Sequence, residues 1–225
     1  PVHQPRKVII IGGRGNGSVI AAALKEAAAS GARDWAVVGY LNDRAAAGSD
    51  LEGHPVLGPL SEVRRFLDQD YYFLYTIYRI AGQDQRLALF DSLKIPDDRL
   101  VTFIHPKSYI AANAVIGPGC VVMPNVSISS GAALGRCCLV MVNATIGHNT
   151  IIGDHGHIAA GANLGAYLKV GRGVHIGLNA TVRENLTLGD GSTLGMGAVL
   201  LEDMGQNEIW AGNPARRLRS VKREG

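Results

Sequence analysis

Three of the chain's seven histidines fall in one short stretch, NATIGHNTIIGDHGHIAAGANLG, residues 143–165. An imidazole titrates near neutral pH, so it can take a proton from an attacking amine or hydroxyl and hand it to a leaving group. His148 follows a glycine, His155 lies in a turn-like segment, and His157 directly precedes Ile158. A fourth ring, His175, comes eighteen residues after His157. Isoleucines at 146, 152 and 158, then Leu164, interleave with these rings on a beat of six. What the rings can do depends on what that beat builds.

Every sixth position from Ile110 to Leu200 is Ile, Leu or Val, sixteen positions without a skip. The next residue is often Gly, and the one four places on is usually small, as at Cys120, Ala132, Cys138 and Ala144. A period of six fits neither the 3.6-residue helix nor the alternation of a strand. It fits a short strand and a tight corner, repeated. Three such units close a triangular coil of eighteen residues whose aliphatic side chains stack inside, the hexapeptide β-helix pattern. Glycine is expected to give the corners their backbone freedom, and the small interior residue lets three walls meet without overpacking. Cys120 and Cys138 are then interior. The histidines miss both inward columns, and His175 should stack one coil above His157. His155 and His175 read as structural.

Before residue 105 the pattern differs. KVIIIGG, WAVVGYLND, YYFLYTI and LVTFI read as four strands, and SVIAAALKEAAAS, LSEVRRFLDQ and DQRLALFDSL as three helices between them. Such alternation argues for a small parallel sheet with covering helices. The glycine-rich IIGGRGNGSVI follows a strand and opens a helix, where backbone N–H groups can approach a phosphate. Under a hundred residues cannot make the six-stranded fold of redox dinucleotide enzymes.

Apolar residues make up 47% of the 225 and charged ones 18%, an ordinary globular composition. No apolar run is long enough to span a bilayer and no signal peptide is evident, which makes the cytoplasm the default compartment. Cys120, Cys137 and Cys138 form neither a disulfide framework nor zinc spacing. Much of the net charge of +3 sits in the tail NPARRLRSVKREG. There Lys222 and Arg223 read as a solvated end, and Arg216 and Arg217 as able to meet a phosphorylated ligand. No basic stripe with interleaved aromatics argues for nucleic acid.

The whole arrangement resembles the sialic-acid and bacillosamine-type sugar O- and N-acetyltransferases, nucleotide-aminosugar N-acetyltransferases among them, of the hexapeptide-repeat acyltransferase superfamily. The residues that carry the likeness are the Gly-rich opening, IHPKSYIAANAVIGPGC, the unbroken repeat and the closing IWAGNPARRL. The likeness covers nearly the full chain. It implies a Rossmann-like nucleotide-sugar domain over 1–105 and a left-handed β-helix over 106–225. It also implies acetyl-CoA as acyl donor, no metal, and a homotrimer holding CoA between adjacent prisms. His148 matches the family's general base and His157 its contact to acetyl-CoA, with backbone N–H groups around Gly165 and Ala166 holding the acyl oxygen. Asn213, Pro214 and Arg216 would lie by the adenosine end of CoA. Arg14, Gly15 and Asn16 would touch the nucleotide, and Asn42 and Asp43 would grip its base or ribose.

The chain departs from the family at three places. Asn149 follows His148 where Glu or Asp is usual, and an amide orients a ring without stabilising its charged form. IIGGRGNGSVI replaces a Gly-x-Gly/Ser-Gly-His-Gly loop, and TIYRIAGQDQR replaces a short Gly-Asn turn. Gamma-type carbonic anhydrases carry zinc on the same helix, but the spacing of 148, 155, 157 and 175 does not match theirs. The readings that follow are N-acetylation of a nucleotide-linked aminosugar with His148 as base, O-acetylation of a sugar, or a non-catalytic trimeric module.

Overall fold

The computed structural model describes residues 4–32, 34–80 and 82–221. The apolar run of strand β1 (Arg6–Ile11) is buried from Val8 onward and lies inside a five-stranded sheet. Helix α1 (Asn16–Ala29) follows, then β2 (Trp35–Leu41), β3 (Asp50–Leu51), β4 (His54–Gly58), helix α2 (Val63–Leu67), β5 (Tyr72–Tyr75) and helix α3 (Gln83–Leu93). The strand order is β3-β4-β2-β1-β5, with β1 parallel to β2 and to β5. β4 joins parallel to β2, and β3 pairs antiparallel with β4. The sequence pattern does not reveal β3 and β4, because a two-residue strand and one interrupted by Pro55 show no periodicity. LSEVRRFLDQ forms a 3-10 turn, Leu60–Glu62, and the five residues of α2 rather than one helix.

The expected fourth strand also differs. Leu100 makes only an isolated bridge to Phe73, while Phe103–Ile104 pairs with Val121–Val122, eighteen residues on. The six-residue beat thus begins one step before Ile110, and the register of the coil outcompetes the sheet for this segment.

From there the chain winds through three walls. The first wall stacks the strands at 103, 121, 139, 157, 175 and 193, the second those from 109 to 199, and the third those from 115 to 187. Strands of one wall pair parallel in an eighteen-residue register, as Leu139 with His157 and Val140 with Ile158. The interior holds Val122, Ile128, Val140, Ile158 and Ile176 at full burial, with Cys120, Cys138 and Ala144 in the small slots. All three cysteines are free.

The corners obey a rule that differs from the expected one in which residue carries the unusual backbone. Left-handed backbone falls at the third residue after each aliphatic one from Ile116 to Leu194, as at Asn125 (φ 59), Asn143 (φ 61), Asn149 (φ 56) and Asn179 (φ 52). Asn tolerates that region better than most residues. The glycine directly after the aliphatic residue serves a different purpose. A Cβ on Gly147 would sit 2.5 Å from the backbone of Gly165 in the next coil. Glycine there permits close stacking, not an unusual turn.

Outward residues of the first wall, Phe103, Val121 and Leu139, share a core with Val8, Ile10, Ile20 and Leu24. The N-terminal sheet domain therefore covers that wall, and the corner between the second and third walls is the vertex opposite it. A hairpin of Glu208–Gly212 and Ala215–Ser220 closes the first wall at its far end. Among the described residues, no helix is long and apolar enough to cross a membrane.

Candidate active site

His148 lies two residues past Ile146, on that opposite vertex, and its side chain is exposed. Its Nδ1 is 3.0 Å from Oδ1 of Asn149. An amide oxygen only accepts, so Nδ1 carries the proton and Nε2 keeps its lone pair. Tyr167, from the next coil, meets the ring edge-on at 4.9 Å between centroids. Asn149 thus does two things at once, filling the left-handed corner position and fixing the tautomer of its neighbour.

Gly165 and Ala166 occupy the same vertex one coil above. The Gly165 N–H is committed to the Val182 carbonyl at 2.9 Å, so it cannot hold an acyl oxygen as the sequence led us to expect. Among the hydrogen bonds of the described residues the Ala166 N–H has no acceptor, and it remains the donor on this corner.

His157 is elsewhere. It sits on the first wall beneath the N-terminal domain, tilted against Tyr78 with ring centroids 5.1 Å apart. Its Nδ1 lies 2.8 Å from Nδ1 of His175, one coil above, as the register required. Burial, then His175 and Arg86, push its pKa down to about 3. Burial, then Arg86, push His175 to about 4. His155, buried against Phe90 and Tyr75, is held at about 4, again chiefly by burial. Within one chain the structure does not bring His148 and His157 together.

A cleft of about 1040 Å³ opens at the carboxyl ends of β1, β2 and β5. This is the point where the connections from β1 diverge to either side, the usual ligand position in such sheets. Arg14, Gly15 and Asn16 line it at the start of α1, together with Asn42 and Asp43. A Cβ on Gly12 would lie 2.1 Å from Oγ1 of Thr76, so only glycine lets β1 turn there beside β5. Asn42 braces the glycine turn: its Nδ2 donates one N–H to the Gly12 carbonyl and its Oδ1 accepts from the N–H groups of Arg44 and Ala45. Its second amide N–H takes no part in these bonds. Asp43 spends Oδ1 on the N–H of Leu60 and keeps its second oxygen.

No protein-family model and no curated protein sequence matches the chain. Solved structures do. The acetyltransferase domain of PglB from Neisseria gonorrhoeae, in complex with acetyl coenzyme A, is 29% identical with a TM-score of 0.81, over 95% of this chain and 100% of that one. Perosamine N-acetyltransferase from Caulobacter crescentus, in complex with CoA and GDP-perosamine, has a TM-score of 0.82 at 23% identity over 95% and 97%. WeeI from Acinetobacter baumannii has a TM-score of 0.76 at 20% identity over 95% and 100%. The resemblance read from the sequence holds. It extends over both the sheet domain and the repeat.

The C-terminal hairpin meets the vertex of His148 at its far end. Glu202 stands on the same column as His148, Ala166 and Glu184, three coils above His148, or about 14 Å at ~4.8 Å per coil. Arg216 Nη1 lies 3.0 Å from Oε1 of Glu202, and Arg217 Nε 2.8 Å from Oε1 of Glu208. Both guanidinium groups, expected to be ready for a phosphate, are already paired. Asn213 and Pro214 are exposed and joined by a cis peptide bond. Lys222 and Arg223 lie outside the described residues. No group of three or more His, Cys, Asp or Glu is placed to hold a metal among the described residues.

Sequence reasoning missed Tyr78 and Arg86, both of which line the cleft. Arg86 is 2% exposed, and its Nη2 donates to the carbonyls of His155 and Gly173 at 3.0 and 3.1 Å. Gln83 Nε2 donates to Thr193 Oγ1 at 2.7 Å. These contacts bolt α3 to the repeat. The signal was present: Gln83 and Arg86 share a helix face with Leu87 and Phe90, and polar residues on an apolar face need partners.

Proposed function

We propose that the protein transfers an acetyl group from acetyl-CoA to the amine of a nucleotide-linked aminosugar. The observation that carries the reading is the His148–Asn149 pair on an open corner of a prism whose fold and sequence are similar to an acetyl-CoA-bound acetyltransferase domain. With Nδ1 held by the amide, Nε2 of His148 removes a proton as the amine attacks the thioester carbonyl. A tetrahedral oxyanion forms, to which the Ala166 N–H donates. The C–S bond then breaks, and the imidazolium returns the proton to the departing thiolate. The products are an amide and free CoA.

The cleft supports the acceptor class. Arg14, Arg44, Arg79 and Arg86 line it against Asp43 and Asp50, and a glycine turn opens α1 at its edge. That balance suits the diphosphate of a sugar nucleotide. It supports reading the part before Phe103 as a Rossmann-like substrate domain and the coil, which starts at Phe103 rather than at 106, as a left-handed β-helix that performs the transfer. An amine is favoured over a hydroxyl, because Asn149 supplies no charge to strengthen the base.

The cleft and His157 lie on the covered side of the prism and His148 on the opposite vertex, which supports a site that takes residues from two copies. A homotrimer is the arrangement the resemblance implies. One column of corner residues between the first and second walls supports association: Pro124, Val142, Ala160, Leu178 and Met196 recur every eighteen residues, and Leu178 and Met196 are 50% and 76% exposed. Apolar side chains repeated along one ridge mark a contact surface.

The test is to incubate the protein with acetyl-CoA and a panel of aminosugar nucleotides, their hydroxyl counterparts and free sugars, and to follow thiol release. Transfer to nucleotide-linked amines supports the reading. Transfer to hydroxyls alone would replace it with O-acetylation, and no transfer with no acetyl-CoA binding would leave a structural module. Mixing His148→Ala chains with Arg14→Glu chains should restore activity that neither has alone, because a mixed assembly holds one intact shared site.

A further inference from the structure

His175 enters none of the steps above, yet its geometry fixes the state of His157. The two rings lie on the covered wall with centroids 4.8 Å apart, and His175 is 6% exposed. Around them stand Arg86 from α3, Tyr78 from the segment after β5, Thr193 on the next rung and His155 on the preceding corner. No carboxylate hydrogen-bonds or ion-pairs with either ring among the described residues. Both rings are held neutral at pH 7, so each carries one N–H.

An Nδ1–Nδ1 separation of 2.8 Å between neutral rings admits one proton between them. One ring donates from Nδ1 and keeps its lone pair at Nε2. The other accepts at Nδ1 and must carry its proton on Nε2. The remaining atom of interest is Nε2 of His157, which is buried and has no partner among the described residues. A dry polar nitrogen without a partner is costly and calls for a ligand. An acyl carbonyl is an acceptor only, so a ring that touches it must present an N–H.

We propose that His175 is a positioning residue for acetyl transfer: its Nδ1–H donates to Nδ1 of His157 and so presents the Nε2–H of His157 to the acyl donor. This rests on the acetyl-transfer reading for its use, but not for its proton arrangement. The pair thereby works without charge, polarising the thioester from the wall while His148 of another copy acts as base. Thr193 continues the column above His175 and is tied to Gln83, so the stack is anchored to α3 at its upper end.

Long-range proton–nitrogen correlation spectra of the intact protein at pH 7 report which ring nitrogen carries each proton. The expected result is Nε2–H on His157 and Nδ1–H on His175. In His175→Phe the flat ring is kept and the donor lost; His157 should then populate both tautomers, and the KM for acetyl-CoA should rise about tenfold, the loss of roughly one hydrogen bond. His175→Asn, whose amide donates from a similar position, should restore both. A proton on Nδ1 of His157 in the wild-type protein overturns the proposal, as does an unchanged KM in folded His175→Phe. Should the wild-type protein transfer no acetyl group, the enzymatic reading fails, and the spectra still decide the proton arrangement.

Discussion

The corner at His148 and the wall at His157 are nine residues apart in one repeat, yet they are opposite environments. At the corner the ring is exposed, braced by an adjacent amide and by the edge of Tyr167. On the wall the ring is covered by a second domain, paired with another histidine and kept neutral by burial. The repeat assigns each side chain only a column. What covers that column decides its chemistry. A histidine on the wet vertex can exchange protons with a substrate, whereas one on the dry wall can only present a fixed hydrogen bond.

The comparison breaks most visibly at the base. His148→Ala should lower acetyl transfer by about 10²–10⁴-fold while leaving the melting temperature within a degree or two, since the side chain is exposed. A similar loss from His157→Phe would mean that the wall, not the corner, supplies the base. Next in size, Leu178→Glu combined with Met196→Glu should leave folded single chains in sedimentation and remove activity with them, because the proposed site draws residues from two copies. Full activity in such single chains would put both sites within one copy.

The scaffold common to both sites is tested by Gly147→Ala. The added methyl group meets the Gly165 backbone at 2.5 Å, and overpacking of this kind costs about 1–3 kcal/mol, read by chemical denaturation. Unchanged stability would show that the coils can spread.

Acid sharpens the contrast further. His155, His157 and His175 have folded pKa values of about 4, 3 and 4, below the ~6.5 of an unfolded chain, so the unfolded state binds the additional protons. Stability from this source is complete above about pH 6.5 and falls as the pH drops, down to about 4 for His155 and His175 and about 3 for His157. The slope is at most ~1.4 kcal/mol per pH unit for each ring. Denaturation midpoints at pH 7.5 and pH 5 should differ accordingly, and His175→Phe should flatten the difference. The smallest effect is expected for Asn149→Asp, which keeps a residue tolerant of φ 56 and adds charge beside the base. Its turnover should rise severalfold; a fall would show that the amide's neutrality is needed.

Much of the fold was legible before any coordinates. Sixteen aliphatic residues in phase dictate the walls, and the eighteen-residue spacing stacks His175 on His157. The first three strands and the first and third helices were readable from apolar runs. The candidate site was legible only as columns. Arg14, Gly15 and Asn16 line the cleft, but the Asn42 amide oxygen is consumed by its own turn and the Gly165 N–H by the ladder. Those commitments depend on which backbone atoms come within 3 Å, and no spacing rule encodes that.

Periodicity by itself determined the prism, the interior cysteines and the outward direction of His148, His155, His157 and His175, because inward and outward alternate with the local backbone. Only the tertiary structure decided which wall the first domain covers, and hence which histidine is dry. That docking rests on Phe90, Gln83 and Arg86 meeting residues some seventy to a hundred and ten positions away, contacts set by the meeting of two cores and by no local pattern.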